Sequence, residues 1–381
     1  MKTITTKKST TAVYVTLMLL ILASPVLAYP PDPDNAALLY YQAYISYEKP
    51  DDTMMSMLKD LSKGKIEPNE RIKKYIENCR GAIKLAVAAA EIPNCNWGLK
   101  YSDGFSMQMA HLAQARYLTG LIISEARILA ADGDYRQAIY RYLTARKVAQ
   151  HIGDETILSF LVSVAINRLA DGCIQDILGD MPEDLEILKS LKKQLALIAS
   201  KPFSVKPAFK TEETLRLEHL KQPTEMLVGE PFKDADESFV EKNRDYYKKY
   251  MDSIQEILSS PMSYETTYTK LKELNDKLQK DAAENPTATL AAGMAPRLFK
   301  ICGHEVRAKT YLNAVRAAVE VYIVKAKTGR LPDTLPAGLP KDLFSGKDFE
   351  YEKTKDGFVL RCRGKDLDKD EIYKYEFKVS K

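Results

Sequence analysis

Two stop-and-cap signals constrain this chain more than any other feature. Asp132-Gly133-Asp134 and Gly153-Asp154 each end one helical run and open the next. The runs they separate are 106–131, 135–152 and 155–178. In the first, Met109, Leu112, Ala113, Arg116, Tyr117, Gly120, Ile123 and Arg127 recur every three or four positions. That spacing places them on one face of a helix. Connections of about two or three residues allow only antiparallel neighbours. A chain built around such a hairpin stack is expected to be mostly α.

The same punctuation recurs on either side. Asn35 caps a helix over 36–47, Asn69 caps one over 70–91, and Gly64 closes a short one over 56–62. Pro182 opens a run to residue 199. Residues 201–209 interrupt the pattern, 212–221 resume it, and 222–236, with Pro223, Gly229 and Pro231, form a loop. Helices follow over 239–258 and from Tyr264 to near Asn285-Pro286. Beyond an amphipathic stretch over 305–327 the period changes from about 3.6 to 2. Phe349-Glu350-Tyr351 alternates, Lys355-Asp356-Gly357 supplies a hairpin turn, and Phe358, Leu360 and Cys362 alternate again. Tyr373, Tyr375, Phe377 and Val379 mark a third strand. The expected fold is therefore mostly α. Antiparallel helical hairpins precede a small α+β unit of one helix on a three-stranded antiparallel sheet.

The hairpin over 126–145 resembles the turn of a tetratricopeptide repeat through Gly133, Asp134, Tyr135, Ala138, Ile139, Tyr142 and Ala145. Gly133 can take the turn dihedrals, Ala138 and Ala145 permit close helix approach, and Tyr135 and Tyr142 fill the groove. The match covers one repeat. Residues 317–366 resemble the globular half of a type II secretion pseudopilin. The match runs through Tyr322, Gly329-Arg330-Leu331-Pro332, Lys341-Asp342, Phe344-Ser345-Gly346-Lys347, Tyr351, Gly357-Phe358 and Gly364-Lys365-Asp366. Leu343 stands where that family usually has proline, and the match begins far from the N-terminus. The complete order of elements, starting from 35–42, is similar to that of a group of exported bacterial proteins of uncharacterised activity. The pseudopilin resemblance implies calcium near the sheet. Asp366, Asp368 and Asp370 carry the D-x-D-x-D spacing that converges carboxylates on a hard cation. Glu371 and Phe377 stand where an EF-hand loop has Gly and Glu, and a solvated acidic turn is the alternative.

Residues 1–28 read as an export signal. Lys2, Lys7 and Lys8 precede an apolar run over 12–23, Pro25 breaks it, and Val26-Leu27-Ala28 offers a cleavage site. The alternative is an uncleaved anchor. The three lysines belong to the 56 basic residues, so without them 53 stand against 52 acidic ones. The apparent basic character is then a targeting feature, and no clustered basic face points to nucleic acid. No later run reads as a membrane span. Four parts follow: the signal at 1–28, an α-helical repeat-like domain at 29–200, further helices and loops at 201–298, and the pseudopilin-like unit at 299–381. Cys79, Cys95, Cys173, Cys302 and Cys362 are an odd number. Pairs 79–95 and 302–362 stand open against buried free thiols.

Catalytic motifs are missing. His304-Glu305 lacks a second histidine at Ala308, so no H-E-x-x-H zinc site forms. No G-x-S-x-G elbow and no Gly-rich phosphate loop occurs. His111 and His151 are expected on separate helix faces, not as a pair. Arg116, Arg127, Tyr135, Arg136 and Tyr142, with Arg141 and Arg146, cluster at the repeat-like hairpin, and Tyr and Arg are favoured at interaction surfaces. The expectation is an exported, non-enzymatic protein of the periplasm or cell envelope that binds a protein or peptide. The alternatives are an exported hydrolase with scattered site residues and a component of a secretion assembly.

Overall fold

Side-chain caps set most of the helix starts. Asn35 accepts from the Ala37 amide and opens α1 (Ala36–Ile45). Asp51 caps α2 (Asp52–Ser62) and Asn69 caps α3 (Glu70–Asn78). Each cap satisfies an amide that the first helical turn leaves without a partner. The computed structural model describes residues 30–201, 203–220 and 236–379. The export signal read at 1–28, and residues 222–235 of the expected loop, lie outside the described residues.

The run expected as one helix over 70–91 is two. Cys79, at φ −85° and ψ 0°, breaks it into α3 and α4 (Arg80–Glu91). A loop and a 3₁₀ turn (Tyr101–Ser106) lead into α5 (Ala110–Ala131), which starts later than expected. The antiparallel stack follows. Gly133 takes φ +85° between α5 and α6 (Tyr135–Ile152), a conformation that costs glycine little. Asp134 caps α6 by accepting from the Gln137 amide. A Thr156–Ser159 capping box opens α7 (Ile157–Asp180). Ala138, Tyr142, Ala145 and Ala149 of α6 are fully buried, and α6 packs against both of its neighbours.

Then come α8 (Leu185–Ser200), α9 (Lys206–His219), α10 (Glu237–Ser259), α11 (Tyr264–Glu284), the short α12 (Thr289–Met294) and α13 (Leu298–Thr328). Helix α13 starts seven residues before the expected 305, just past Pro296. Helix α7 is the one described helix long and apolar enough to cross a membrane, and most of it is buried inside the protein. It is the core helix on which α13 and the sheet pack.

The sheet has the order β1 (Glu350–Thr354), β2 (Gly357–Arg361), β3 (Lys374–Lys378), antiparallel throughout. Phe358 faces Phe377 and Leu360 faces Tyr375, and all four are buried. The Phe358 and Phe377 rings stack at 5.2 Å. Only glycine fits at 357, since a Cβ there would lie 1.9 Å from the Phe377 carbonyl oxygen. The outer edge of β3 is occupied: Gln175 of α7 donates to the Glu376 carbonyl and the Tyr322 hydroxyl of α13 to the Lys378 carbonyl. The described residues from Asn35 onward form one compact unit. All five cysteines are free, and four are buried.

Candidate functional site

An open cleft of about 460 Å³ forms where the helical stack meets the sheet. Its floor is the α7 C-terminus, its walls are the 64–68 turn, α5, the start of α6 and the outer edge of β3. Arg127 of α5 donates through Nε to the Ser62 carbonyl at 3.2 Å and through Nη2 to Asp176 Oδ2 at 2.8 Å. The Tyr135 hydroxyl donates to the Asp180 carbonyl at 3.0 Å. The walls are thus pinned before any ligand arrives, which lowers the ordering cost of binding. Glu67, Asp176, Asp180 and Glu376 line the cleft as exposed carboxylates, against Arg127 and Lys378. With Arg127 tied to Asp176, the opening is acidic.

The residues expected at a partner surface divide. Arg127 and Tyr135 line this cleft. Arg136 lines a separate hollow of about 300 Å³ with Glu91, Tyr140 and Lys147, and Arg116 is exposed outside both. Tyr142 is not at a surface. It is fully buried between α6 and α7, and its hydroxyl donates to Asp171 Oδ1 at 3.3 Å. Arg146 is also buried, with Nη1 2.9 Å from both Asp171 oxygens. Both follow from the face of α6 on which Ala138 and Ala149 lie. That face packs inward, so every fourth residue goes with it.

The three aspartates are not gathered. Asp366 is fully buried. Its Oδ2 accepts from Arg307 Nε at 2.8 Å and from the Tyr373 hydroxyl at 3.0 Å. Its Oδ1 accepts from the Asp368 and Lys369 amides and from the Tyr264 hydroxyl. Asp368 lies 3.6 Å from the same guanidinium, while Asp370 is exposed beside Lys365. A cation bridging Asp366 and Asp368 would have to stand beside Arg307, so these residues do not fit calcium. Among the described residues no group of three His, Cys, Asp or Glu side chains is arranged to hold a metal.

One cluster escapes the sequence reading. Trp97 stacks on His111 at 4.7 Å and on Tyr40 at 5.4 Å, and its Nε1 donates to the His151 carbonyl at 2.8 Å. The Tyr40 hydroxyl and His151 Nδ1 are 3.0 Å apart. His111 Nε2 lies 3.8 Å from Glu155 Oε2. Those two atoms and the Tyr44 hydroxyl are sealed without a hydrogen-bond partner. Burial pushes Glu155 up to about 7 and His111 and His151 down to about 4. A carboxyl so poised can exchange a proton near neutral pH. The only sequence cue was the lone tryptophan in its loop. The contacts join positions far apart in the chain, which local periodicity does not report.

No family model, no curated protein and no solved structure matches the chain.

Proposed function

We propose that this chain is an exported protein of the cell envelope that binds a segment of another protein without transforming it. The cleft between the helical stack and β3 is the binding site. The observation that carries the reading is the set of four exposed carboxylates, Glu67, Asp176, Asp180 and Glu376, around pinned walls. Such a cleft favours an extended segment carrying lysine or arginine, since complementary charge steers encounter and fixes register. Export is supported by the lysines and apolar run ahead of residue 28. Assembly through the sheet has less support. The β3 edge is occupied by Gln175 and Tyr322, and β1 is short and largely charged, which discourages strand addition.

The test is site-specific photocrosslinking in envelope extract. A photoreactive residue at Glu67 should give discrete adducts, and one at exposed Lys277 on α11 should not. Equal labelling at both positions would remove the cleft from consideration.

A hydrolase is the second reading, and the Glu155–His111 pair favours it. Burial raises the Tyr41 and Tyr101 phenols, 40% and 44% exposed, and the Glu155 charge adds to it. The Glu155 side chain is 16% exposed, although its Oε2 is sealed. This reading requires ester or amide hydrolysis that Glu155→Gln abolishes; hydrolysis unaffected by that change would end it.

A further inference from the structure

Arg136 directly follows Tyr135 of the acidic cleft, yet it lines the other hollow, of about 300 Å³. The floor there is aliphatic and regular. Ile139 and Leu143 lie one turn apart on α6, and Ile187 and Leu191 one turn apart on α8. Residues four apart share a helix face, so two ridges flank a groove between the helices. Ile139, Leu143 and Leu191 are buried at its base. Half-buried Ile187 and Tyr140, 36% exposed, form its apolar rim.

The polar rim is set before anything binds. Glu91, at the end of α4, accepts from Lys147 Nζ on both carboxylate oxygens, at 2.7 and 2.6 Å, and from the Tyr140 hydroxyl at 3.2 Å. The Arg141 guanidinium carbon lies 5.7 Å from the centre of the Tyr140 ring, and Arg141 is paired in turn with Glu125. The ring is held from two sides, which lowers the ordering cost of docking against it. Glu91 and Lys147 cancel in charge. Arg136 is exposed, and its side chain makes no ion pair or hydrogen bond among the described residues. One uncancelled positive charge therefore stands at the edge of an aliphatic groove.

Shape decides the class of occupant. The hollow is open to solvent and lies at the small end of ligand pockets, so it does not enclose most of a small molecule. A groove between two helices instead receives side chains spaced three or four apart along a third helix. Charge complementarity adds a carboxylate for Arg136. We propose that this hollow docks an amphipathic helix of a partner protein, with aliphatic side chains in the groove between α6 and α8 and an Asp or Glu on Arg136. The site is separate from the acidic cleft, which calls for a basic segment, and does not depend on the function proposed for that cleft.

The experiment is a fluorescence-anisotropy titration of the full chain against a labelled helical peptide of about 15 residues. The peptide is built from alanine, leucine and glutamate, with leucines every third or fourth position and glutamates beside them. Its counterpart carries glutamine for glutamate, because a basic peptide would be drawn to the acidic cleft. The acidic peptide should bind about tenfold more tightly than the neutral one. Arg136→Gln should bring the two to the same affinity. Ser190→Trp should fill the groove and abolish binding of both. Both positions are exposed, so neither variant should move the melting midpoint. Failure of the acidic peptide to bind, equal binding of the two peptides, or binding that survives both variants would overturn the proposal. So would a dimer in light scattering that Ser190→Trp dissolves, which gives the groove to a second copy. Octanoate binding that depends on Arg136 would overturn it too, by giving the groove to a small amphiphile.

Discussion

Arg307 and Asp366, on α13 and in the last loop, form a buried ion pair with Nε 2.8 Å from Oδ2. The aspartate is wholly buried and the arginine side chain is 13% exposed. Tyr373 closes the arrangement, its ring 5.8 Å from the guanidinium carbon and its hydroxyl on the carboxylate. Removing one member of such a pair leaves the other charge buried and alone.

Arg307→Ala should therefore destabilise the protein by about 3–5 kcal/mol, read from denaturant unfolding. Because Arg307, together with Lys369 at 3.8 Å from Asp368, already balances the two carboxylates, calcium or a chelator should not move the melting midpoint of the full chain. A calcium-dependent rise would mean that these aspartates bind metal after all.

Ala138 is fully buried in α6, where it packs between its antiparallel neighbours. Ala138→Leu inserts three carbons into a filled contact and should cost about 1–3 kcal/mol. An unchanged thermal midpoint would contradict the close approach of these helices.

Glu155 gives a pH signature. Burial raises its carboxyl from the ordinary 4.5 to about 7, so between these values the fold keeps a proton that the unfolded chain has released. Its contribution is a loss of stability as pH rises through that window. His111 and His151, lowered from 6.5 to about 4, act with the opposite sign, losing stability as pH falls from 6.5 towards 4. Comparing one variant with the parent isolates the glutamate. Glu155→Gln should be more stabilising, relative to the parent, at pH 7.5 than at pH 5. Urea midpoints at the two pH values decide it; an equal difference at both would show that Glu155 is not held above its ordinary range.

Five thiols should be counted in denatured protein without reductant, since no cysteine is paired. Native protein should react slowly, because Cys79, Cys173, Cys302 and Cys362 are buried. A thiol titration that finds one or three would point to a disulfide.

The helix Tyr135–Ile152 was legible to the residue because Gly133 and Asp134 write its start in local chemistry. The break at Cys79 was not, since no proline marks it and Gly81, two residues on, lies inside the next helix. Pro207 was read as part of an interruption, although proline is tolerated in a first turn and here lies at the start of Lys206–His219. The strands were legible because their alternation matches the faces of Phe358, Leu360, Tyr375 and Phe377. Of the expected surface, Arg127 and Tyr135 sit in the cleft because they flank a turn. Tyr142 and Arg146 were misplaced because periodicity finds a face without saying which way it turns. The Trp97 cluster arises from packing between distant elements and leaves no pattern in a single stretch.

The grip of Gln175 and Tyr322 on β3 has a consequence for how the molecule comes apart. The last strand is spliced into the body by its own backbone, so the sheet is no appendage to be trimmed or transplanted. Heat should release it together with the central helix in one event. A chain shortened to end before Lys374 would strip cover from the middle of the protein.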